Sequence, residues 1–380
     1  MSIYLDNAAT SFPKPESVYT TQDSVARSYG ANPGRGGYSI ARQAAHSMAS
    51  TREAIASFFN IPSSTQVCFT FNATQGINTG LFGVLKPGQR VVTTSMEHNA
   101  VARPLHYLEQ QGVEVIKVAS NPHGLVDPDA MLRACSAAPT TMVVMNHCSN
   151  VTGTVQPIEA VSAWCREHGT IFLLDAAQSA GALPIDVEKM DIDILVAPGH
   201  KGLFGPQGTG FIYVRTGIEL EPFILGGTGN LSSVLEQPTQ MPERFESGTL
   251  NTAALAGLQA GLKFIETEGM DKIRAHEQRL LEHLWDGLGT IAGVALYGAG
   301  PGPGHSGPIS FTLDEKDSAE VGFILDHKFD IAVRTGLHCA PDAHRSIGTF
   351  PGGTVRVSPG YFNTDEDIQT LIMAVKSIVA

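Results

Sequence analysis

Seven short apolar runs recur along the first 214 residues, and they constrain the fold more than any other feature of the sequence. They span residues 67–71, 89–94, 113–118, 141–146, 171–175, 194–197 and 210–214. Most are continuously apolar rather than alternating, which is typical of strands covered on both faces. Because helical segments separate the runs, the pattern predicts an α/β domain with a largely parallel sheet of seven strands. In such sheets, ligands bind at the carboxyl ends of the strands.

Beyond residue 251 the pattern changes to longer helices and fewer strands. Helices are predicted at 252–268, 271–288, 318–326 and 364–379, and strands at 308–313, 331–334 and 354–358. The loop at 298–304 is rich in glycine, but Pro301 and Pro303 argue against the helix start of a dinucleotide-binding fingerprint, so we interpret it as a turn. We therefore predict a large domain at residues 14–250 and a smaller α+β domain at 251–380, which residues 1–13 join.

The composition argues against several classes of protein. The 380 residues carry a net charge of −12 and no basic run, so no nucleic-acid partner is expected. No apolar run reaches the length of a membrane span, and no signal-peptide pattern follows Met1, so we expect a cytoplasmic protein without a membrane partner. The five cysteines include no Cys-x-x-Cys pair, which argues against a disulfide framework and against a bound zinc; we expect no metal.

Lys201 carries the strongest chemical signal in the chain. It follows the run at 194–197, within the segment Val-Ala-Pro-Gly-His-Lys-Gly, and Asp175 ends the preceding run. A lysine amine can form a Schiff base with an aldehyde, and a carboxylate can keep a pyridine nitrogen protonated. Taken alone, Lys201 would more often be a solvated loop lysine. At the ends of successive strands, the two residues suggest a site for pyridoxal 5′-phosphate (PLP).

Three further segments place polar side chains at strand ends. Thr74 lies between a strand and a helix, where its hydroxyl and the free N–H groups could hold a phosphate, although an ordinary helix cap would look similar. His98 follows the run at 89–94, where an imidazole could stack on a planar ring or lie unused in a loop. Asn150 adds an amide after the run at 141–146.

Together these residues closely resemble the fold-type I PLP enzymes of aminotransferase class V, and within that class the cysteine desulfurase and selenocysteine lyase group. The match extends from residue 4 to Arg356, which is nearly the whole chain. Other matching segments are 4–10 (Tyr-Leu-Asp-Asn-Ala-Ala-Thr), 32–36 (Asn-Pro-Gly-Arg-Gly), 245–249 (Phe-Glu-Ser-Gly-Thr) and 334–340 (Arg-Thr-Gly-Leu-His-Cys-Ala). Their order and spacing are highly specific for this superfamily.

The resemblance implies how PLP would be held. Lys201 would form the Schiff base, Asp175 would pair with the pyridine nitrogen and Gln178 with the phenolic oxygen. His98 would stack on the ring and move protons. The phosphate would be held by the Ala73 amide, Thr74, His200 and Thr249 of the partner subunit in a homodimer.

The same resemblance assigns the substrate groups. Arg356 would bind the substrate carboxylate through two N–H groups, with Asn150 assisting. Cys339 would be the nucleophile that takes sulfur from the substrate, which requires an accessible thiol that ionises readily. His338 and Arg334 lie near Cys339 in the sequence and would favour the thiolate.

The segment that carries Cys339 is rich in glycine and proline between residues 336 and 353, which predicts that it can move. The remaining cysteines are expected to be buried as small apolar residues. They are Cys68, Cys135, Cys148 and Cys165.

The chain departs from the family pattern at three positions. Pro198 stands where serine or threonine often contacts the phosphate, and Ala73 replaces one of a pair of threonines. Asn99 stands where a second histidine is frequent. These departures weaken the expectation of cysteine as substrate more than the expectation of PLP.

The predicted function is that of a homodimeric lyase that takes sulfur from L-cysteine, or selenium from L-selenocysteine, and releases L-alanine. Lys201 would serve as the general base, and a persulfide would form on Cys339 for transfer to an acceptor protein. Two alternatives stay open. One is another class V reaction, such as transamination, epimerisation or cysteine-sulfinate cleavage, with Cys339 incidental. The other is a PLP-binding sulfur carrier with little turnover.

Overall fold

The computed structural model describes residues 2–34, 36–229 and 233–379; Arg35, part of the matching segment 32–36, lies outside them. The helices are α1 (Glu16–Tyr29), α2 (Ser39–Phe58), α3 (Ala73–Val84), α4 (Asn99–Gln110), α5 (Pro128–Ser136), α6 (Ile158–His168), α7 (Thr252–Glu268), α8 (Met270–Gly289), α9 (Ser318–Phe329), α10 (Pro341–Ser346) and α11 (Asp365–Val379). The strands are β1 (Ile3–Tyr4), β2 (Val67–Thr70), β3 (Arg90–Thr94), β4 (Glu114–Val118), β5 (Met142–Asn146), β6 (Ile171–Asp175), β7 (Ile194–Pro198), β8 (Gly210–Val214), β9 (Val294–Tyr297), β10 (Ile309–Leu313), β11 (Ile331–Ala332), β12 (Arg334–Gly336) and β13 (Thr354–Val357).

The central sheet contains seven strands in the order β2-β8-β7-β6-β5-β3-β4. Only β8 runs against its neighbours, since β2 and β7 both pair with it in antiparallel fashion. The predicted α/β fold with a mostly parallel seven-stranded sheet is therefore confirmed, with strand bounds shifted by a residue or so.

Burial of both faces explains why these strands are continuously apolar. Along β6, Phe172 and Leu174 belong to one apolar cluster, whereas Leu173 between them belongs to the other. Successive side chains of a strand point to opposite faces, so the two clusters lie on the two sides of the sheet. The carboxyl ends of β5, β6 and β7 then lie together at one edge, which brings Asn146, Asp175 and Pro198 to the same place.

The second half of the chain forms a smaller sheet with strand order β12-β13-β10-β9. Its own apolar cluster combines residues of α8, α9 and α11 with Leu5 from the N-terminal segment. That segment also pairs with the second half directly, because Ile3 of β1 lies opposite Ile331 of β11 in parallel register. The proposed domain limits at residues 14 and 250 stay a prediction.

One predicted strand was wrong. The run at 331–334 is divided between β11, which pairs with β1, and β12, which pairs with β13. Helix α1 was missed, because only Val18 and Val25 of it are buried and the apolar stripe is too weak to recognise. No helix in the described part of the chain is long and apolar enough to cross a membrane.

Candidate active site

One cavity of about 230 Å³ brings together almost all of the predicted site residues. Its lining includes Ala73, Thr74, His98, Asn150, Asp175, Gln178, His200, Lys201, Cys339 and Arg356. The cavity opens at the carboxyl ends of β5, β6 and β7, where Asn146, Asp175 and Pro198 line it. Thr249 is the exception, since it lines a different cavity of about 500 Å³.

Burial disfavours the charged forms of both Lys201 and Asp175, so it shifts their pKa values in opposite directions. Desolvation lowers the pKa of the Lys201 amine to about 8, although the nearby Asp175 carboxylate opposes this. Desolvation raises the pKa of Asp175, which is only 3 % exposed and accepts a hydrogen bond from the Ala177 N–H at 2.9 Å. An amine with a lowered pKa has more of its nucleophilic neutral form near pH 7. A buried carboxylate is stabilised by a cation, such as a protonated pyridine nitrogen.

The start of α3 supplies backbone N–H donors that could hold a phosphate. Asn72 caps the helix by accepting the Gln75 N–H at 3.0 Å, so the earlier N–H groups of Ala73 and Thr74 have no acceptor within the helix. Both residues line the cavity, as does His200, whose Nδ1 is buried without a hydrogen-bond partner. Helix N-termini of this kind bind anions through N–H groups and the helix dipole.

His98 is held as a neutral imidazole. Its Nδ1 accepts the N–H of Ala100 at 3.0 Å, so the ring proton belongs on Nε2. Desolvation, followed by the charges of Lys201, Arg334 and Arg356, lowers the pKa of His98 to about 4. His98 therefore lines the cavity as a neutral ring with one N–H, on Nε2, available to a ligand.

The N-terminal segment orients groups on the other side of the cavity. Gln178 Nε2 donates to the carbonyl of Ala8 at 3.0 Å, and a second amide hydrogen stays available to a ligand. Lys14 Nζ donates at 2.7 Å to the carbonyl of His200 and to Ser11 Oγ. These contacts fix the backbone that carries Lys201.

Arg356 is enclosed, with 1 % exposure, and is paired on two sides. One terminal nitrogen donates to the Asn150 carbonyl at 3.0 Å and the other to Asp6 Oδ1 at 2.7 Å. Nε is buried with no partner. A guanidinium has further N–H groups beyond the two in use, so Arg356 can still donate to a carboxylate in the cavity.

Cys339 lies on a tight turn between β12 and α10. His338 and Cys339 both have positive φ values, 47° and 59°, which non-glycine residues rarely adopt. Contacts hold the turn in place: Asn150 Nδ2 donates to the His338 carbonyl, and the Asn99 N–H donates to the Cys339 carbonyl, each at 2.7 Å. The mobility of this segment stays a prediction; the turn itself is hydrogen-bonded to Asn99, at the start of α4, and to Asn150, in the loop after β5.

The thiol of Cys339 is exposed and lies next to one cation. Arg334 donates from a terminal nitrogen to Sγ at 3.5 Å. His338 does not reach the thiol, because its Nε2 is bonded to Thr354 Oγ1 at 2.9 Å. Desolvation lowers the pKa of His338 to about 2, so its ring is neutral. Of the two groups expected to favour the thiolate, only Arg334 carries a charge and contacts the sulfur.

The other cysteines are buried, as expected for apolar residues. Cys148 also lines the cavity, but its thiol donates a hydrogen bond from Sγ to the Ser306 carbonyl at 3.0 Å. Burial raises the pKa of this thiol to about 12. It is therefore a poor nucleophile compared with an exposed thiol.

Sequence reasoning missed three ionisable residues that support the site. Asp6 pairs with Arg356, and Lys14 binds the backbone at His200. Glu97 is 3 % exposed and accepts from Thr94 Oγ1 at 2.7 Å and the Asn146 N–H at 3.1 Å; burial raises its pKa to about 8. Asp6 lies in the segment 4–10, which matches the family, but no local pattern indicates that it pairs with Arg356, 350 positions away.

A family model described as aminotransferase class-V matches residues 3–371. A probable cysteine desulfurase of Methanothermobacter thermautotrophicus is 37% identical over 97% of this chain and 92% of that protein. A cysteine desulfurase of Salmonella typhimurium is 32% identical over 99% of this chain and 93% of that protein.

Solved structures are similar over the same length. The apo structure of a cysteine desulfurase from Thermococcus onnurineus matches with a TM-score of 0.92 and 31% identity, covering 100% of this chain and 94% of that one. The Escherichia coli cysteine desulfurase CsdA matches with a TM-score of 0.87 and 26% identity, covering 99% and 94%.

Proposed function

The chain belongs to the aminotransferase class-V family, and we propose that it is a PLP-dependent cysteine desulfurase. It would convert L-cysteine to L-alanine and leave the sulfur as a persulfide on Cys339. One observation carries the proposal: a single cavity holds the amine of Lys201, the buried carboxylate of Asp175, the guanidinium of Arg356 and the exposed thiol of Cys339. The printed names of the relatives, which cover nearly the whole chain, support this reaction.

The cavity residues fit PLP. The phosphate matches the N-terminus of α3 and the unpartnered Nδ1 of His200, and the pyridine nitrogen matches the buried Asp175. Gln178 has a free amide hydrogen for the phenolic oxygen. Pro198 supplies no hydroxyl, so the phosphate would depend on the N–H groups of Ala73 and Thr74 and on His200. When bound, PLP supplies an aldehyde that reacts with amines and a ring that withdraws electrons from the substrate Cα.

Lys201 would move the protons, and His98 would act as a neutral hydrogen-bond donor. With a pKa of about 8, the Lys201 amine has a neutral fraction near pH 7 that can accept the Cα proton. The neutral ring of His98 has its proton on Nε2, since Nδ1 accepts from the Ala100 N–H. This N–H can donate a hydrogen bond to a ligand in the cavity, whereas the proton for the developing product would come from Lys201, which is protonated once it has accepted the Cα proton.

The carboxylate of L-cysteine would bind to Arg356. This buried guanidinium has N–H groups not in use, and it lines the same cavity as Asn150. Asn150 already donates one hydrogen to the His338 carbonyl at 2.7 Å. Its second amide hydrogen can reach the carboxylate, so one side chain would position both the substrate and the turn of Cys339.

Cys339 would receive the sulfur. Its thiolate attacks the substrate sulfur, an S–S bond forms and the Cβ–S bond breaks, with the electron pair staying on the carbon skeleton. Protonation then gives L-alanine, so carbon is reduced as sulfur is oxidised and no external oxidant is needed. Arg334, 3.5 Å from Sγ, would stabilise the negative charge on the thiolate and afterwards on the persulfide. Because Cys339 is exposed, an acceptor thiol could then remove the sulfur. We place the protein in a reducing cytoplasm, which would keep Cys339 available as a thiol.

We propose a homodimer because Thr249, which the resemblance assigns to the phosphate site, does not line the cavity of its own chain. Thr249 is exposed, and the Gly248 N–H beside it donates to the Gly227 carbonyl at 2.8 Å. Just before Gly227, Phe223 and Leu225 are 47 % and 69 % exposed. A second copy would cover this apolar segment and accept Thr249 into its phosphate site.

The deciding experiment compares two thiols that line the same cavity. Cys339→Ala should retain PLP and lose release of sulfide from L-cysteine under a reductant by at least about a hundredfold. Cys148→Ala should retain turnover. Mass spectrometry should place the added sulfur on the Cys339 peptide of the wild type. Full activity of Cys339→Ala on L-cysteine would reject the proposal, and L-selenocysteine and L-cysteine sulfinate assayed in parallel would identify the other reactions.

A further inference from the structure

The proposed carboxylate site contains a competing carboxylate. Asp6 Oδ1 accepts from a terminal nitrogen of Arg356 at 2.7 Å, and the Asp6 side chain is 21% exposed while that of Arg356 is 1% exposed. This is the only ion pair of Arg356 among the described residues. The cation that would bind the substrate is thus already neutralised by a residue of the N-terminal segment.

Asp6 is held rigidly in this position. Its backbone forms a parallel bridge with Ser358, two residues beyond Arg356. The Ser358 N–H donates to the Leu5 carbonyl at 2.8 Å, and the Tyr4 hydroxyl donates to the Asp6 carbonyl at 3.0 Å. These contacts hold the segment that carries Asp6 against the end of β13, so that Asp6 lies beside Arg356.

Arg356 has unused donors for a second anion. One terminal nitrogen donates to the Asn150 carbonyl and the other to Asp6, whereas Nε has no partner. A ligand carboxylate at the remaining N–H groups would share the guanidinium with Asp6. Two carboxylates on one buried cation repel each other, and this repulsion is weakly screened away from water.

We propose that Asp6 competes with the ligand carboxylate for Arg356 and so limits the affinity of the site for amino acids, which lets the alanine product leave. This inference rests on the proposed function and deepens it. It assigns Asp6 a positioning role: it holds the guanidinium and weakens the attraction of Arg356 for the substrate and the product.

Asp6→Asn tests the idea because it keeps an oxygen acceptor for Arg356 and removes the negative charge. The PLP-loaded protein would be titrated with L-alanine and with ethylamine, an amine that has no carboxylate, while the absorption of the cofactor is followed. We expect Asp6→Asn to bind L-alanine about tenfold more tightly and ethylamine within about twofold of the wild type. The KM for L-cysteine and kcat should both fall, since tighter binding of the product slows its release.

Asp23→Asn is the matched control. Asp23 also pairs with an arginine, Arg27, at 2.8 Å, but both side chains are exposed on α1. It changes the net charge equally and should leave both affinities unchanged. If Asp6→Asn is not recovered folded, Asp6→Ser also removes the charge while keeping a hydroxyl acceptor, and thermal unfolding would verify its fold.

The outcomes separate this inference from the function on which it rests. If the wild type responds to neither ligand, the proposed function fails. If the wild type responds but Asp6→Asn binds L-alanine no more tightly, the competition is refuted. Equal tightening for L-alanine and ethylamine would also refute it, because the carboxylate would then not be the group that Asp6 opposes.

Discussion

Lys201 should react with the aldehyde of PLP with a pH dependence centred near 8. Burial lowers the pKa of its amine from 10.5 to about 8. At pH 7 about one amine in ten is then neutral, compared with about one in three thousand for an ordinary lysine. The rate at which the PLP-free protein forms the covalent adduct should therefore rise with pH and level off above about pH 8 to 9.

Asp175→Asn provides the perturbation. The Asp175 carboxylate raises the pKa of Lys201, so its replacement by an amide should move the inflection to lower pH. Stopped-flow absorption of PLP-free protein mixed with PLP, measured from about pH 6 to about pH 10, would give both curves. Lys201→Ala should abolish the signal. Borohydride reduction and peptide mapping should assign the adduct to Lys201.

Three results would contradict this reasoning. An inflection near the ordinary lysine value would mean that the amine is solvated rather than buried. Labelling of Lys14 would mean that the reactive amine was misassigned, because desolvation also lowers the pKa of Lys14, to about 7. An upward shift of the inflection in Asp175→Asn would contradict the electrostatic role given to Asp175.

Two further predictions test the dimer and the buried acid. Mixed Lys201→Ala and Thr249→Ala subunits should regain about one quarter of wild-type activity, since half of the dimers are hybrids and each hybrid has one complete site; no gain over the separate variants would argue against a shared site. Glu97 has a raised pKa of about 8, so its contribution to stability is present below about pH 4.5 and is lost as pH rises to about 8. Glu97→Gln cannot ionise, so it does not lose this stability as pH rises. The unfolding free energy of Glu97→Gln relative to that of the wild type should therefore increase by a few kcal/mol between about pH 4.5 and about pH 8. Chemical denaturation at several pH values would measure this difference. Parallel pH profiles would contradict the buried position of the carboxyl.

The central sheet could be predicted because its signal is local. A strand covered on both faces must be apolar along its whole length, as in β6, where Phe172 and Leu173 belong to clusters on opposite faces. The place of Lys201 and Asp175 followed from the same signal, since each lies at or just beyond the carboxyl end of such a strand. The strand at 331–334 was predicted wrongly because a short run cannot reveal that its two halves pair with different sheets.

The sequence by itself thus determined the sheet and the strand ends at which Lys201 and Asp175 lie. Only the tertiary structure decided how those side chains are held: that Asp6 neutralises Arg356, that His338 turns towards Thr354 and leaves Arg334 at the thiol, and that Thr249 lies away from the cavity of its own chain. The apolar pattern of a strand can be read from consecutive residues, because successive side chains alternate between the two faces of the sheet. Ion pairs and hydrogen bonds between residues hundreds of positions apart depend on how the elements pack, and they leave no pattern in the local sequence.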